Sequence, residues 1–270
     1  MRRATNLGLQ QRYGGYALIT GAARGIGKAF AKYLAAEGFD LLLVDREGER
    51  TRALAEALRD QHGRQAHALV CDLTDAGLEK RARQWTDAYD VGLLINNAGT
   101  SELDRFLDIA LDTHLKTLDL NCRATLILTH VVGRAMVARR RGGIIMVSSA
   151  SALSGSPYFC HYAATKGYGL NLGCGLWSEL RGSGIDVLAL CPGMTDTQPV
   201  RERGLDEALP FYVPLTEPEP VALAALVALG KRPVVVPTWA DKLSAGLISK
   251  LAPRAWALSI LKRSIEKAKS

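Results

Sequence analysis

The sequence predicts an α/β fold, a doubly wound parallel sheet forming one domain, with a helical appendage at its C-terminal end. Three observations predict it. Short apolar runs alternate with longer amphipathic stretches, the rhythm of successive βαβ units. A glycine-rich turn, Thr20-Gly-Ala-Ala-Arg-Gly-Ile-Gly27, joins the first apolar run to the first helical stretch. No repeat, low-complexity tract or proline-rich linker divides the 270 residues, a length ample for one sizeable core. The domain is drawn over residues 1–241 and the appendage over residues 242–270.

Taken in order, the first predicted strand is Tyr16–Ile19, and the helix Ile26–Glu37 follows the glycine-rich turn. Leu41–Val44 reads as the second strand, ending at Asp45 and Arg46, and Arg50–Gln61 as the next helix. Ala66–Val70 is a third strand, followed by Asp72 and Leu73, and Leu93–Ile95 a fourth, followed by Asn96-Asn97-Ala98-Gly99. Asn121 sits in a helical stretch, where asparagine is a poor interior residue, so a kink or a function must account for it. Ile144–Val147 forms a strand leading into Ser148 and Ser149. Val187–Leu190 leads into Pro192-Gly193 and Met194-Thr-Asp-Thr197, and Val234–Val236 completes the set. Right-handed crossovers between these strands give the doubly wound sheet.

Tyr162 and Lys166, four apart, share one helix face. A phenol ordinarily titrates near ~10 and is a poor proton acceptor at neutral pH. An ammonium held nearby favours the phenolate, so the pair is expected to act as a general acid/base, with Lys166 lowering the pKa of Tyr162. Ser149 stands 13 residues before Tyr162. With Thr-Gly-x-x-x-Gly-Ile-Gly at 20–27, Asn-Asn-Ala-Gly at 96–99 and Tyr-x-x-x-Lys at 162–166, the chain resembles the short-chain dehydrogenase/reductase family over residues 13–237. The resemblance implies a Rossmann fold and hydride transfer between a nicotinamide dinucleotide and a secondary alcohol or ketone. By the same resemblance Ser149 orients the carbonyl and Asn121 holds a water in a proton relay through Lys166. Ser148 and His161 are expected to support rather than react. A non-catalytic, dinucleotide-binding sensor or scaffold is the other function class. Such members usually lack one of Asn121, Ser149, Tyr162 and Lys166, and all four are present.

The glycine-rich turn suits a pyrophosphate. Gly21 permits the tight turn, Gly25 the approach of backbone to the anion, and Gly27 close helix–strand packing, with the helix N-terminus from Ile26 facing the phosphates. Asp45, 24 residues after Gly21, is placed to bind the adenosine ribose hydroxyls and to repel a 2′-phosphate. Arg24 and Arg46 are the counter-signs, since relatives that use NADP place basic residues there. NAD(H) is expected to be favoured over NADP(H). The resemblance assigns Asp72 and Leu73 to the adenine, and Asn97, Ala98 and Gly99 to the adenosine half. It further assigns Pro192, Gly193 and Thr195 or Thr197, with Thr197 preferred, to the nicotinamide, and Lys166 to its ribose. Residues 198–220 match the stretch that covers substrate in relatives.

The five cysteines are scattered, with no C-x-x-C pair. They read as reduced thiols in a cytoplasmic protein, and no metal site is expected. No run of ~18 uncharged apolar residues suggests a spanning helix, and the start lacks the features of a secretory signal. The net charge of +7 is concentrated at the ends: seven basic residues from Lys242 onward face Glu266 alone, and Arg2, Arg3 and Arg12 lie at the start. The body is therefore near neutral, which argues against a nucleic-acid partner. The helix bearing Tyr162 continues through Gly167, Gly169, Gly173 and Gly175. Each costs ~1 kcal/mol relative to alanine, a cost that close approach of another helix would offset. The family packs this helix between subunits, so a homodimer or homotetramer is expected. In the tail, Leu243, Leu247, Ile248 and Leu251 form one stripe, and Trp256, Leu258, Ile260, Leu261 and Ile265 a second beyond Pro253. With the Arg12-Tyr-Gly-Gly-Tyr entry, the tail resembles the subgroup containing 3-ketoacyl-CoA and 17β-hydroxysteroid reductases. Packing on the body is expected; a subunit interface or peripheral contact with an anionic membrane is the alternative.

Overall fold

The computed structural model describes residues 7–197, 201, 215–238 and 254–269. Seven parallel strands form one sheet: β1 (Tyr16–Thr20), β2 (Asp40–Asp45), β3 (Ala66–Val70), β4 (Val91–Asn96), β5 (Gly142–Val147), β6 (Ile185–Leu190) and β7 (Val234–Val235). Their spatial order is β3-β2-β1-β4-β5-β6-β7. The order reverses between β1 and β4, which opens a crevice beyond the carboxyl ends of those strands. Every strand predicted from the sequence is present, with ends displaced by one or two residues.

The strands are mostly apolar because both faces are covered, and the period of two sorts their side chains. Ala17, Ile19, Leu41, Leu43, Leu93 and Ile95 face one core. It is covered by α2 (Gly25–Ala36), α3 (Gly48–His62) and α8 (Pro218–Ala228). Leu18, Leu42, Val44, Leu94, Ile144 and Met146 face the other. There α4 (Leu78–Ala88) and α6 (Ala124–Arg139) supply Leu78, Ala82, Leu128 and Val132. Leu18, Ile19, Leu41 to Leu43, Leu93 and Leu94 are fully buried, each worth about 1.5–3 kcal/mol in apolar transfer.

Three further elements frame the site. A short helix α1 (Leu9–Tyr13) precedes β1, and Tyr13 passes beneath the sheet to donate from its hydroxyl to Asp186 at 2.8 Å. The helix α5 (Leu111–Leu118) continues into α6 through a π-helical turn, Asp119–Arg123. The long helix α7 (Cys160–Glu179) packs on β5 and β6. The last helix, α9 (Arg254–Lys269), is the described part of the tail, and its Ile265 is buried. No helix among the described residues is long and apolar enough to cross a membrane. The predicted stripe from Leu243 to Leu251, the break at Pro253 and most of residues 198–220 lie outside the described residues.

Candidate active site

The crevice gathers side chains from four separate elements. Tyr162 and Lys166 lie on the first two turns of α7. Lys166 is buried, and its ammonium stands 5.7 Å from the centroid of the Tyr162 ring while donating to the Val147 carbonyl at 2.9 Å. Ser149, just past β5, stands close enough to the Tyr162 phenol to favour its ionised form. Its hydroxyl accepts from the amide and the hydroxyl of Ser151, at 3.2 and 3.0 Å. Ser148 turns the other way. It is buried and donates to the Lys166 carbonyl at 2.7 Å, bracing α7 against β5.

Asn121 lies in the π-helical turn between α5 and α6, a rare arrangement that concentrates at functional positions. Its side chain is fully engaged. Oδ1 accepts from the Thr100 amide at 2.9 Å, while Nδ2 donates to the Thr100 carbonyl and to Thr165 Oγ1, both at 2.9 Å. Asn121 thus fastens the chain beyond β4 to the helix that carries Tyr162. Its backbone carbonyl accepts from Thr125 Oγ1 at 2.9 Å. Both Lys166 Nζ and Asn121 Oδ1 crowd Gly99, where an added Cβ would lie 3.0 and 3.2 Å from them. Asn121, Lys166 and the Asn-Asn-Ala-Gly segment therefore converge.

The net shift of the Tyr162 phenol is upward: burial raises it above the ordinary value, and the nearby Ser149 hydroxyl offsets this only in part. The ammonium of Lys166 is committed to a backbone carbonyl, and burial pushes its own pKa down to about 8. Near neutral pH the site therefore holds a protonated phenol beside a largely protonated lysine, an arrangement ready to donate a proton to a carbonyl oxygen. Beneath them, burial pushes the Cys191 thiol up to about 11, so it stays a thiol.

On the other side of the crevice, the turn between β1 and α2 fits a dinucleotide pyrophosphate. Gly21 has φ +64°, and an added Cβ at Gly27 would lie 2.1 Å from the Gly21 carbonyl oxygen. Arg24 gives α2 no side-chain cap, which leaves the first amides of the helix, from Gly25 to Gly27, for an anion. Asn97 holds this turn in place, its Nδ2 donating to the carbonyls of Thr20 at 2.9 Å and Gly21 at 3.1 Å. The amides of Asn97 and Ala98 both donate to Thr20 Oγ1 at 3.0 Å.

Asp45, at the end of β2, accepts from the amides of Ala23 and Glu47, both at 3.0 Å. It therefore ties the glycine-rich turn to the following loop. Glu47, which the sequence analysis missed, pairs with Arg24 and lies 3.3 Å from Arg50. Its position two residues after Asp45, opposite an arginine already singled out, was the signal available. Arg46 is exposed. Asp72 is held below the usual carboxylate range by hydrogen bonds from Thr74 and by the nearby Arg46, and Leu73 is buried beside it.

Past β6, Pro192 accepts from the Ala150 amide at 2.8 Å. Thr195 is buried and bridged to Thr216, whereas Thr197 meets the glycine-rich turn: an added Cβ at Gly25 would lie 2.8 Å from its methyl group. Of the two threonines, Thr197 faces the crevice. A small cavity opens beside Tyr162, lined by Phe106, His114, Thr117, Tyr158, Phe159 and His161 among others. His161 packs edge-on against His114 and bonds its carbonyl at 3.0 Å, a supporting position in the cavity wall. Among the described residues, no group of three or more His, Cys, Asp or Glu is arranged to hold a metal ion.

The chain is similar to known proteins in both sequence and fold. A family model described as short chain dehydrogenase matches residues 15–208. The very-long-chain 3-oxoacyl-CoA reductase-like protein of Arabidopsis thaliana is 32% identical over 93% of this chain and 82% of its own length. The inactive hydroxysteroid dehydrogenase-like protein 1 of Rattus norvegicus is 29% identical over 96% and 79%. A solved 7β-hydroxysteroid dehydrogenase structure superposes with a TM-score of 0.87 at 26% identity, covering 94% of this chain and 99% of that one. A short-chain dehydrogenase from Sphingobium yanoikuyae in complex with NADPH gives 0.75 at 33% identity over 93% and 95%. A 3-oxoacyl-[acyl-carrier protein] reductase with bound NAD from Brucella melitensis gives 0.71 at 28% identity over 82% and 88%.

Proposed function

The chain belongs to the short-chain dehydrogenase/reductase family, and from that premise we propose that it reduces a ketone, or oxidises the matching secondary alcohol, at the crevice around Tyr162. The observation that carries the reading is the convergence of Tyr162, Ser149, Lys166 and Asn121 at the mouth of a turn built for a pyrophosphate. The dinucleotide supplies the hydride. Tyr162, its phenol kept protonated by burial, gives its proton to the carbonyl oxygen, and Ser149 orients that oxygen. Lys166 supplies positive charge beneath the phenol, and Asn121 fixes the chain around both. Thr197, facing the glycine-rich turn, is the residue placed to meet the nicotinamide. NADH consumption with a panel of ketones tests the reading, and no turnover across chemically diverse ketones would refute it.

A second reading, dinucleotide binding without catalysis, is motivated by the relatives described as inactive. The complete tetrad in this chain favours the enzyme. NAD(H) is preferred in our reading because Asp45 and Glu47 put two carboxylates beside the ribose position while Arg24 is engaged by Glu47. The working unit is a homodimer or homotetramer. In support, among the described residues added Cβ atoms at Gly167, Gly169 and Gly175 of α7 would meet nothing within 4 Å, which leaves room for a neighbouring helix there. Leu115, Leu118 and Leu126 on neighbouring α5 and α6 are 45–49% exposed.

A further inference from the structure

We infer that Tyr158 is a specificity-determining residue, held in the wall of the small cavity beside Tyr162 by Glu266 of α9, so that the C-terminal helix sets the size of ketone reaching Tyr162. The inference rests on the oxidoreductase reading and goes beyond it. Tyr158 and Tyr162 line the same cavity. Tyr158 has φ +64°, a left-handed backbone that a bulky residue adopts only under constraint. Two contacts from opposite sides supply the constraint. Its carbonyl accepts from the Asp104 amide at 3.1 Å, and its hydroxyl donates to Glu266 Oε1 at 2.7 Å.

Glu266 is well placed to hold that ring. The preceding residue, Ile265, is 4% exposed and anchors α9 to the body. Lys262, one turn earlier, pairs with the carboxylate at 3.7 Å and orients it. Arg105 is a further group near the phenol. The residue is thus held between the loop before α5, through the Asp104 amide, and the tail, through Glu266. Releasing Glu266 removes one side of the clamp, and the left-handed backbone then favours movement of the ring out of the wall.

The test compares a small ketone, cyclohexanone, with a bulky one, benzophenone, in the full-length chain. Glu266→Ala and Tyr158→Phe each remove the hydrogen bond. Each is expected to lower KM for benzophenone relative to cyclohexanone by roughly tenfold, the scale of one hydrogen bond to a charged group. The effect should fall on KM rather than on kcat. Glu266→Gln retains an acceptor oxygen and should restore most of the parent ratio. Calorimetric titration of the same ketones into the protein–NADH complex gives the ratio independently of turnover. A ratio unchanged in both variants overturns the inference, and so does a parent–NADH complex that binds neither ketone. A shifted binding ratio without turnover by the parent would support the clamp while refuting the oxidoreductase reading.

Discussion

Tyr162 and Lys166 show how burial, rather than spacing, sets the chemistry of single residues. Tyr162→Phe should reduce turnover by ~10²–10⁴, the usual contribution of a general acid, with NADH affinity little changed. Near-parental turnover would remove Tyr162 from the mechanism. Lys166 carries a stability signature as well. Its pKa is about 8 in the folded chain against ~10.4 unfolded, so between those values the unfolded state binds more protons. Its burial penalty is fully present below about pH 8 and is relieved as pH rises, by up to ~1.4 kcal/mol per unit. Cys191 acts in the opposite sense, because its thiol is raised; Lys166 offsets part of that rise, so in a lysine variant the thiol is raised further and stability falls more with pH. Urea unfolding at pH 8, 9 and 10 should therefore show parental stability gaining on Lys166→Met, and parallel curves would refute the buried-lysine account. The proposed preference for NAD(H) also rests on single residues. A carboxylate ~4 Å from a phosphate charge costs ~4 kcal/mol at an effective dielectric near 20. The parent should bind NADH more tightly than NADPH. Asp45→Ala should narrow the gap, and Asp45→Ala with Glu47→Gln should narrow it further by releasing Arg24. Fluorescence titration of both reduced cofactors measures this, and a parent preferring NADPH overturns it.

At the scale of elements, two helices carry glycine for different reasons. In α2, an alanine at position 27 would drive its Cβ to 2.1 Å from the Gly21 carbonyl oxygen and 2.7 Å from Asn97 Nδ2. Such overpacking typically costs 1–3 kcal/mol, more than the ~1 kcal/mol that alanine gains over glycine in a helix. Gly27→Ala should therefore lower the melting temperature and weaken NADH binding at least tenfold. In α7, Gly169 has no neighbour among the described residues within 4 Å of an added Cβ. Gly169→Ala should raise the stability of an isolated chain by ~0.5–1 kcal/mol. Thermal melts of the two variants beside the parent give the comparison, and a Gly27→Ala protein as stable as the parent would contradict the packing at the glycine-rich turn.

For the whole molecule, the open face of α7 and the exposed leucines of α5 and α6 belong to one assembly prediction. The parent should sediment at two or four times the chain mass, and Leu118→Lys with Leu126→Lys should reduce it to one. A parent that is monomeric at micromolar concentration removes the subunit interface from the account and leaves those glycines unexplained. The tail enters at the same scale: Ile265 and Glu266 bring it back to the cavity wall from beyond the last strand.

The sequence by itself determined the strands, the position of the glycine-rich turn and the candidate tetrad of Asn121, Ser149, Tyr162 and Lys166. Each of these follows from local rules: alternating apolar runs, a turn that only glycine permits, and spacing along one helix. Tertiary structure decided the rest. It turned Asn121 into a clamp between Thr100 and Thr165 through a π-helical turn, and it gave Arg24 to Glu47. It also reversed the direction of the Tyr162 shift. Electrostatics and burial depend on which distant segments come to lie beside a group, and no spacing along the chain specifies the depth at which a phenol ends up.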